Sequence, residues 1–478
     1  MNPKILFINP PLTIMERYGL KYQSGGQTPP LGLTNLAASL RERGFDVKIL
    51  DGAALSLSCE EVAQLTIKKN PDFVGLTAVT SSIGNTSKVA SLIKEHLNKV
   101  KIIIGGPHFT AIPEKTLQLY PQFDIGCFGE SDYTISELIS SLTAGKDLRQ
   151  VKGLFLRENG NLLFTGLRER VRDLDNLPFP AWDLLPNLAK YYCPPVHTLK
   201  KIPASMLVTS RGCPGQCIFC DRSMFGNNVS FYSASYVMAM IKNLYQNYGI
   251  REIQFRDDNF VAIKKRLMEL CNLLITEKLD IVWTCMGRAD MINPEMLNMM
   301  KRAGCWQIWY GIESGSQKVL DVINKKITLE EIKKAVLETE KAGIEPCATF
   351  IIGHPTETED SINATIKFSL SLPLKEAHFS FMTPFPGSLL YEKAGEFGTF
   401  NNDWKMLSGW FPVFVPKELT EDKLVFFNKQ AFRKFYFRPR IVLSYLKKIK
   451  TLTHLRIYLN GFLALLEFLI KGRESNRM

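Results

Sequence analysis

Three cysteines stand at C-x3-C-x2-C spacing in the stretch Arg211-Gly212-Cys213-Pro214-Gly215-Gln216-Cys217-Ile218-Phe219-Cys220. Pro214 and Gly215 let this loop curl, so that Cys213, Cys217 and Cys220 aim three thiolates at one point. Three soft thiolates are one too few for a structural zinc site, which takes four protein ligands. They suit a [4Fe–4S] cluster in which one iron has no protein ligand and can bind a small molecule. A zinc loop with a distant fourth ligand, or cysteines placed by chance, are the competing readings. A disulfide in so tight a loop is disfavoured. An open iron implies chemistry more than scaffolding.

The elements that must position this loop repeat strand and helix from residue 201 to about 385. Candidate strands are Ser205–Thr209, Glu252–Arg256, Ile281–Met286, Gln307–Gly311, Ala348–Ile352 and His378–Met382. The cysteine loop follows the first. The others end in Asp257-Asp258-Asn259, Gly287-Arg288, Glu313-Ser314, Gly353-His354-Pro355 and Thr383-Pro384-Phe385-Pro386. A polar or special residue after each strand is the pattern of a βα barrel with its site at the C-terminal face.

The cysteine spacing, with an aromatic residue before the last cysteine, resembles the signature of the radical S-adenosylmethionine (radical SAM) superfamily, and six βα units fit its partial barrel. The resemblance implies that the open iron chelates the amino and carboxylate groups of SAM. An electron from the cluster then cleaves SAM to methionine and a 5′-deoxyadenosyl radical, which abstracts an unactivated hydrogen. An external flavodoxin- or ferredoxin-like protein supplies the electron. On the matching strand ends, Asp257 or Asp258 is expected at the SAM ammonium, Arg288 at its carboxylate and Glu313 at the ribose hydroxyls. Backbone at Phe219 and around Ile351 and Gly353 is expected to cradle the adenine. Residues 355–358 either join this site or cap the next helix. Thr383 to Tyr391 resembles the end of the barrel in cobalamin-type members, as a substrate wall or as structural closure.

Residues 1 to about 145 alternate short apolar runs with amphipathic stretches. The strands are Ile5–Asn9, Val47–Asp51, Phe73–Thr77, Lys101–Gly105 and Ile125–Phe128. The helices are Thr34–Arg43, Cys59–Lys69, Asn85–Leu97, Glu114–Leu119 and Thr134–Leu142. This predicts a doubly wound parallel α/β sheet, Rossmann-like, with ligands at the strands' carboxyl ends. No G-x-G-x-x-G follows the first strand, which disfavours a dinucleotide, and no acidic cluster marks a response regulator.

Asn9-Pro10-Pro11, Pro30-Leu31-Gly32-Leu33, Gly105-Gly106-Pro107-His108 and Gly129-Glu130 resemble the cobalamin-binding domain found ahead of many radical SAM domains. The implied contacts are Asn9, Pro10, Thr77, Ser81, Ser82, Gly105, Gly106 and Glu130. The Asp-x-His-x-x-Gly loop of other cobalamin domains is missing, so the resemblance implies base-off cobalamin without a protein histidine on cobalt. His108 is expected as a loop histidine near the corrin or its tail.

Between the two regions, residues 146–200 read as a connector. Leu154–Leu156 and Leu162–Thr165 flank the Asn159-Gly160 hairpin turn, and a Pro-rich strap runs from Leu177 to Asp183. The barrel is expected over 201–390 and an aromatic-rich, basic, helical C-terminal region over 391–478. Trp404, Trp410, Phe411, Phe414, Phe426, Phe427, Phe432, Phe435, Tyr436 and Phe437 crowd its first part.

At 478 residues, 45% hydrophobic and 22% charged, the chain is an ordinary globular protein of two or three domains. Its net charge of +12 is uneven. From Gln430 to Met478, eleven Lys/Arg (Arg433, Lys434, Arg438, Arg440, Lys447, Lys448, Lys450, Arg456, Lys471, Arg473, Arg477) face two acids, Glu467 and Glu474, a surplus of nine. A near-neutral body with a basic tail argues against nucleic acid. Tyr458 to Ile470 is apolar but too short to span a bilayer. It fits a helix on an anionic membrane or a helix packed on the barrel. Ten cysteines are no disulfide scaffold over this length, and with no signal peptide at Met1–Phe7 they suggest a reducing cytoplasm. The location expected is cytoplasmic, with peripheral contact at the membrane's inner face.

The resemblance covers about 385 residues and implies a cobalamin-dependent radical SAM enzyme that methylates an unactivated carbon, the methyl passing from SAM through methylcobalamin. Cyclisation, ring contraction and carbon–carbon coupling with the same cofactors stay open, as does a non-catalytic cobalamin sensor. A methylthiotransferase is disfavoured, because only Cys59 and Cys127, far apart, lie in the N-terminal region. The substrate is a small molecule or a lipid.

Overall fold

The structure is a computed structural model that describes residues 3–18, 26–194, 198–449 and 452–471. The chain forms two compact units. The first comprises Met1–Arg17, Gln27–Tyr192 and Asp221–Gly226; the second comprises Tyr18–Gly26, Cys193–Cys220 and Asn227–Met478.

The first unit runs β1 (Lys4–Asn9), α1 (Ile14–Tyr18), α2 (Leu31–Glu42), β2 (Asp46–Asp51), α3 (Cys59–Lys69), β3 (Phe73–Thr77), α4 (Ile83–His96), β4 (Lys101–Gly105), α5 (Pro107–Ala111), α6 (Pro113–Leu119), β5 (Ile125–Cys127), α7 (Asp132–Thr143), β6 (Leu154–Glu158), β7 (Asn161–Phe164) and α8 (Leu188–Tyr191). One seven-stranded sheet, in the order β2-β1-β3-β4-β5-β6-β7, carries it. The first five strands are parallel. α2 and α7 pack together on one face and α3 and α4 pack against each other, which gives the doubly wound arrangement. Continuous Val/Ile/Leu strands make this possible, because a parallel sheet is apolar on both faces. Ile5, Phe7, Ile103, Leu33, Leu138 and Ile139 build one core.

The hairpin expected inside a connector is instead part of this sheet. β6 pairs antiparallel with β5 and β7 with β6. The turn chemistry at Asn159-Gly160 was readable, but the partner of the hairpin was not. The Pro-rich strap also lies on this unit: Ala181 N donates to Thr34 O at 3.1 Å and Arg41 pairs with Asp183 at 2.6 Å.

The second unit runs β8 (Ala204–Leu207), β9 (Ser210–Arg211), β10 (Ser230–Phe231), α9 (Ala234–Tyr248), β11 (Glu252–Phe255), α10 (Lys264–Glu277), β12 (Val282–Gly287), α11 (Pro294–Arg302), β13 (Cys305–Glu313), α12 (Gln317–Val322), α13 (Leu329–Lys341), β14 (Glu345–Ile352), α14 (Glu359–Ser371), β15 (Glu376–Phe381), α15 (Leu389–Phe397), β16 (Gly398–Phe400), β17 (Phe414–Pro416), α16 (Glu421–Tyr436), α17 (Pro439–Lys448) and α18 (Leu452–Lys471). Six parallel strands stand in the order β15-β14-β13-β12-β11-β8. This is the open, partial barrel.

Register sorts its side chains. Ile253, Phe255, Trp283, Ile308, Tyr310, Phe350 and Phe379 are fully buried on one face. The alternate positions carry Gln254, Thr284, Gln307, Trp309, Thr349, His378 and Ser380, paired in register across the strands. Trp309, Thr349, Ile351, His378 and Ser380 are half-buried, so the polar face is the more open one.

Most of the C-terminal aromatics pack inside the fold. A partial barrel leaves edge strands, and an unpaired edge is a liability. α16 covers β15: Asn428 Nδ2 donates to Phe379 O at 3.0 Å, Tyr436 Oη donates to Ala377 O at 2.9 Å, and Phe432 and Phe435 meet the Phe379 ring edge-on. Phe381 N donates to Gly409 O at 2.9 Å. Phe411, Phe414, Phe427 and Phe435 are buried. The expected basic tail lies partly outside the described residues: Lys450 and residues 472–478 are not among them.

Candidate functional site

The cysteine loop is held at its start by a ribbon, β9 pairing antiparallel with β10. Beneath it lies a buried network. Asp257 is 1% exposed and accepts from Thr209 N at 2.5 Å, Thr209 Oγ1 at 2.7 Å and Ser210 Oγ at 2.7 Å. Arg266 Nη1 approaches its carboxylate at 3.8 Å and Arg266 also donates to Tyr232 O at 2.9 Å and Thr209 O at 3.1 Å. Asp257 therefore braces the loop from below, and its oxygens are spent there rather than on a ligand. Its neighbour Asp258 is exposed and accepts from Gly212 N at 2.9 Å. The polar pair at the end of the second barrel strand thus splits into one anchor and one accessible acid.

A second brace comes from residues 323–326. Ile218 N donates to Ile323 O at 3.1 Å, Asn324 Nδ2 to Gln216 O at 2.9 Å, and Lys326 Nζ to Gln216 Oε1 at 3.2 Å. Asn324 (φ 54°) and Lys326 (φ 51°) take left-handed backbone to do so. On the other side Leu390 N, opening α15, donates to Ile218 O at 2.9 Å. Thr383 and Ser388 are buried in the same stretch, with Ser388 capping α15, so that stretch acts in closure and bracing.

Glu313 is buried and pairs with Lys325 Nζ at 2.9 Å. Its φ of 68°, at a register shift between β13 and β14, marks a strained backbone of the kind kept at functional sites. Gly311 makes room, since a Cβ there would stand 2.5 Å from Glu313 Oε1. Burial pulls the Lys325 ammonium down, but Glu313 and the Cys217 sulfur outweigh it and hold it above its ordinary value. Arg288 chelates Asp290 through two bonds of 3.0 and 2.9 Å and donates to Lys325 O at 2.8 Å. Gly215 lies between it and Cys213: a Cβ there would be 3.3 Å from Arg288 Nη1 and 3.4 Å from Cys213 Sγ.

The three thiols of the loop are shifted differently. Cys217 falls to about 6, first because of its hydrogen bond with the Cys220 thiol and then because Lys325 and Arg288 are near. Cys220 moves up through the same bond. Burial raises Cys213, opposed by Gly215 N and Arg288. Among the described residues no three His, Cys, Asp or Glu side chains converge on one metal ion. Three thiols on one braced loop, beside two cations, fit a cluster that is bound at separate irons.

Phe219 stands edge-on to His354, ring centroids 6.2 Å apart, and packs with Ile351 on Met382 and Phe414. His354 is fully buried; burial lowers it to about 3, and Nε2 bonds Glu313 O at 3.4 Å. Glu357 does not cap α14, whose cap is Thr358. Its Oε2 accepts from Gly353 N at 2.5 Å and His354 N at 3.0 Å, which pins the Gly353 turn at φ 90°. Burial pushes its carboxyl up to about 8.

In the first unit the expected strand-end residues fall into two groups. Gly106 has φ 95°, and a Cβ there would lie 2.5 Å from Thr77 Oγ1 and 3.0 Å from Ala78 O, so only glycine lets these turns close. Ser81 and Ser82 form one turn of 3-10 helix before α4, with Ser82 Oγ accepting from Val79 N at 3.1 Å. Val79, beside this turn, is 48% exposed. Gly105 is half-buried beside Cys127 O.

Asn9, Pro10 and Glu130 are used inside the protein. Asn9 Nδ2 donates to Asp51 at 2.8 Å, Pro10 is buried, and Glu130 accepts from Val171 N at 2.8 Å with Arg170 at 3.5 Å. His108 is not a loop histidine. It lies buried in α5, its nitrogens 3.3 Å from Thr80 Oγ1 and Thr116 Oγ1, and burial lowers it to about 4. Sequence reading missed Arg266, Asn324 and Lys325. The Asn-Lys-Lys run carried no periodic or motif signal, and its role is set by where α12 ends.

Residues 20–139 match the B12 binding domain family and residues 207–369 the radical SAM superfamily. An uncharacterized methyltransferase of Pyrococcus horikoshii, PH0819, is 36% identical over 447 residues, which cover 92% of this chain and 94% of that protein. An anaerobic magnesium-protoporphyrin IX monomethyl ester cyclase of Cereibacter sphaeroides is 26% identical, covering 92% and 71%. Among solved structures, the cobalamin-dependent S-adenosylmethionine radical enzyme OxsB superposes with a TM-score of 0.74 at 19% identity, covering 99% of this chain and 74% of that one; this is a likeness of fold. The chain belongs to the radical SAM superfamily, among the members that carry a B12-binding domain ahead of the radical SAM domain. It is an enzyme of the cobalamin-dependent radical SAM type, with a [4Fe–4S] cluster, SAM and cobalamin as its cofactors.

Proposed function

We propose that the protein transfers a methyl group to an unactivated carbon of a small molecule. The observation that carries this reading is the thiol triad, braced on one loop at the carboxyl ends of a six-stranded partial barrel, in a chain 36% identical to a protein named as a methyltransferase. When bound, the cluster and SAM supply a carbon-centred radical, and cobalamin supplies the methyl group.

The residues share the remaining work. Cys213, Cys217 and Cys220 hold the cluster. Arg288 is held by Asp290 and Lys325 by Glu313, so either cation takes a SAM carboxylate by exchanging its present partner for it. Asp258 is the accessible acid for the ammonium, and Glu313 is turned for the ribose once its carboxylate leaves Lys325. Phe219, Ile351 and the pinned Gly353 turn flank the adenine. Thr77, Ser81, Gly105 and Gly106 line the cobalamin side of the first unit. The two ring nitrogens of His108 are occupied by threonines, which supports base-off cobalamin without a histidine on cobalt.

The open barrel face is polar, with Thr349, Trp309, His378 and Ser380, and so favours a substrate, or part of one, that makes hydrogen bonds. All ten cysteines are free thiols, which supports a reducing cytoplasm, and a flavodoxin- or ferredoxin-like protein is the electron source. The basic C-terminal helices make peripheral membrane contact in this reading. Radical cyclisation is the second reading, favoured by the cyclase relative.

Anaerobic reconstitution tests the proposal. Four irons, a corrin spectrum, 5′-deoxyadenosine and S-adenosylhomocysteine formed together are expected. A reconstituted protein that cleaves no SAM refutes the enzyme reading; 5′-deoxyadenosine without any methylated product in the extract of the host cell turns it to the cyclase.

A further inference from the structure

The two last helices present apolar residues outward. On α17, Val442, Leu443 and Leu446 are 42%, 55% and 56% exposed; on α18, Leu455, Leu459 and Phe462 are 46%, 51% and 46% exposed. Each set follows helical spacing and lies on one helix face. The opposite sides are seated in the second unit. Ile441 is 1% exposed, and Phe468 is 5% exposed with its ring 5.2 Å from Phe432. Ile441 and Phe468 set which side of each helix faces inward.

Monomeric proteins rarely leave such a patch without a use. No described helix is long and apolar enough to cross a membrane. The surrounding charge selects the occupant. Residues 430–478 carry a surplus of nine positive charges. Among the described basic side chains, Arg438 donates to Leu370 O at 3.0 Å, Arg440 pairs with Glu340, and Lys434 donates to Gln430 Oε1 at 3.2 Å. Arg433 and Lys434 are exposed. An apolar face inside a basic field complements an anionic bilayer surface, where aliphatic side chains enter the acyl boundary and Lys/Arg meet headgroups.

Resting on the membrane contact read above, we infer that the outward faces of α17 (Val442, Leu443, Leu446) and α18 (Leu455, Leu459, Phe462), both packed on α16, seat the enzyme on anionic lipid. In this arrangement the helices lie in the interface plane with their apolar side chains toward the acyl boundary. Each Lys/Arg near such a surface contributes about 1 kcal/mol, or about fivefold in partitioning, so binding depends steeply on lipid charge and on salt.

The test is co-sedimentation of the full chain with vesicles of phosphatidylcholine alone or with 30% phosphatidylglycerol. Binding to the anionic vesicles, at least tenfold weaker on the neutral ones and weakened by salt, is expected. Leu443→Glu/Leu459→Glu, at exposed positions outside the core, is expected to lower anionic binding at least tenfold with iron content and SAM cleavage unchanged. Leu167→Glu, at a residue 72% exposed in the first unit, serves as the control and is expected to bind as the parent does. No binding by the parent chain overturns membrane contact altogether. Binding by the parent that survives the double substitution overturns this face while leaving the contact standing. A parent that is dimeric by light scattering, monomeric in the double variant and indifferent to vesicles assigns the face to a second copy and also overturns the inference.

Discussion

Replacing Asp257 by asparagine separates two roles that a carboxylate after a barrel strand can have. In the structure its two oxygens accept three hydrogen bonds, from Thr209 N, Thr209 Oγ1 and Ser210 Oγ, and face Arg266. Both partners of the ion pair are buried, with side chains 4% and 0% exposed. Asparagine keeps the shape and one acceptor but removes the charge. Hydrogen bonds to charged groups are worth about 1.5–3 kcal/mol each, and breaking a buried pair by removing one partner costs about 3–5 kcal/mol. Arg266 keeps its carbonyl partners, so the lower part of that range, about 3 kcal/mol, is expected for Asp257→Asn. With a urea slope of about 1–3 kcal/mol/M, the unfolding midpoint should drop by about 1 M or more. Because the network carries the start of the cysteine loop, iron content after reconstitution should fall in step. Asp258→Asn, at an exposed position, should leave midpoint and iron unchanged and weaken SAM binding. If Asp257→Asn kept the parent's iron and midpoint but lost SAM affinity, the bracing assignment would be refuted and Asp257 would be a ligand residue after all.

Two further outcomes follow from the same geometry. Gly106→Ala places a Cβ against Thr77 Oγ1 and Ala78 O at a left-handed φ; strain of about 1–3 kcal/mol and a weaker corrin spectrum after reconstitution are expected, and normal cobalamin content would count against that turn as part of the site. Glu357 sets a pH dependence. Its folded pKa of about 8 lies above the value of about 4.5 for a free side chain, so the folded state keeps a proton that the unfolded state releases. Its contribution is therefore most favourable below about pH 4.5, declines as pH rises toward 8 and is flat above. Glu357→Gln, a mimic of the protonated acid, should show a smaller loss of urea midpoint between pH 6 and pH 8 than the parent; an unchanged pH slope would mean that Glu357 is ionised in the fold.

Much of the architecture was legible because it is written in local periodicity. β3, β4 and α3 lie where their apolar patterns place them, with Ser58 and Glu61 closing the α3 capping box. The six barrel strands follow for the same reason, and the cysteine spacing alone pointed to three thiols as a donor set. Local pattern could not say which partner a polar group finds. Asp257 and Asp258 are adjacent and chemically alike, yet the turn after β11 sends one inward to Arg266 and the other to Gly212 at the surface. Glu313 meets Lys325, twelve residues on, only because α12 returns the chain to the cysteine loop. The Asn159-Gly160 hairpin was plain as a turn, but its place at the edge of the first sheet depends on β5 having a free edge. The aromatic run after residue 400 was read by composition, whereas its use is to close the open edge at β15. The kinds of chemistry and the elements that carry it are thus fixed by residue type and period. Which carboxylate braces, which cation faces the thiols and which aromatics close the barrel are decided by long-range packing, since each depends on a desolvated partner that lies elsewhere in the chain.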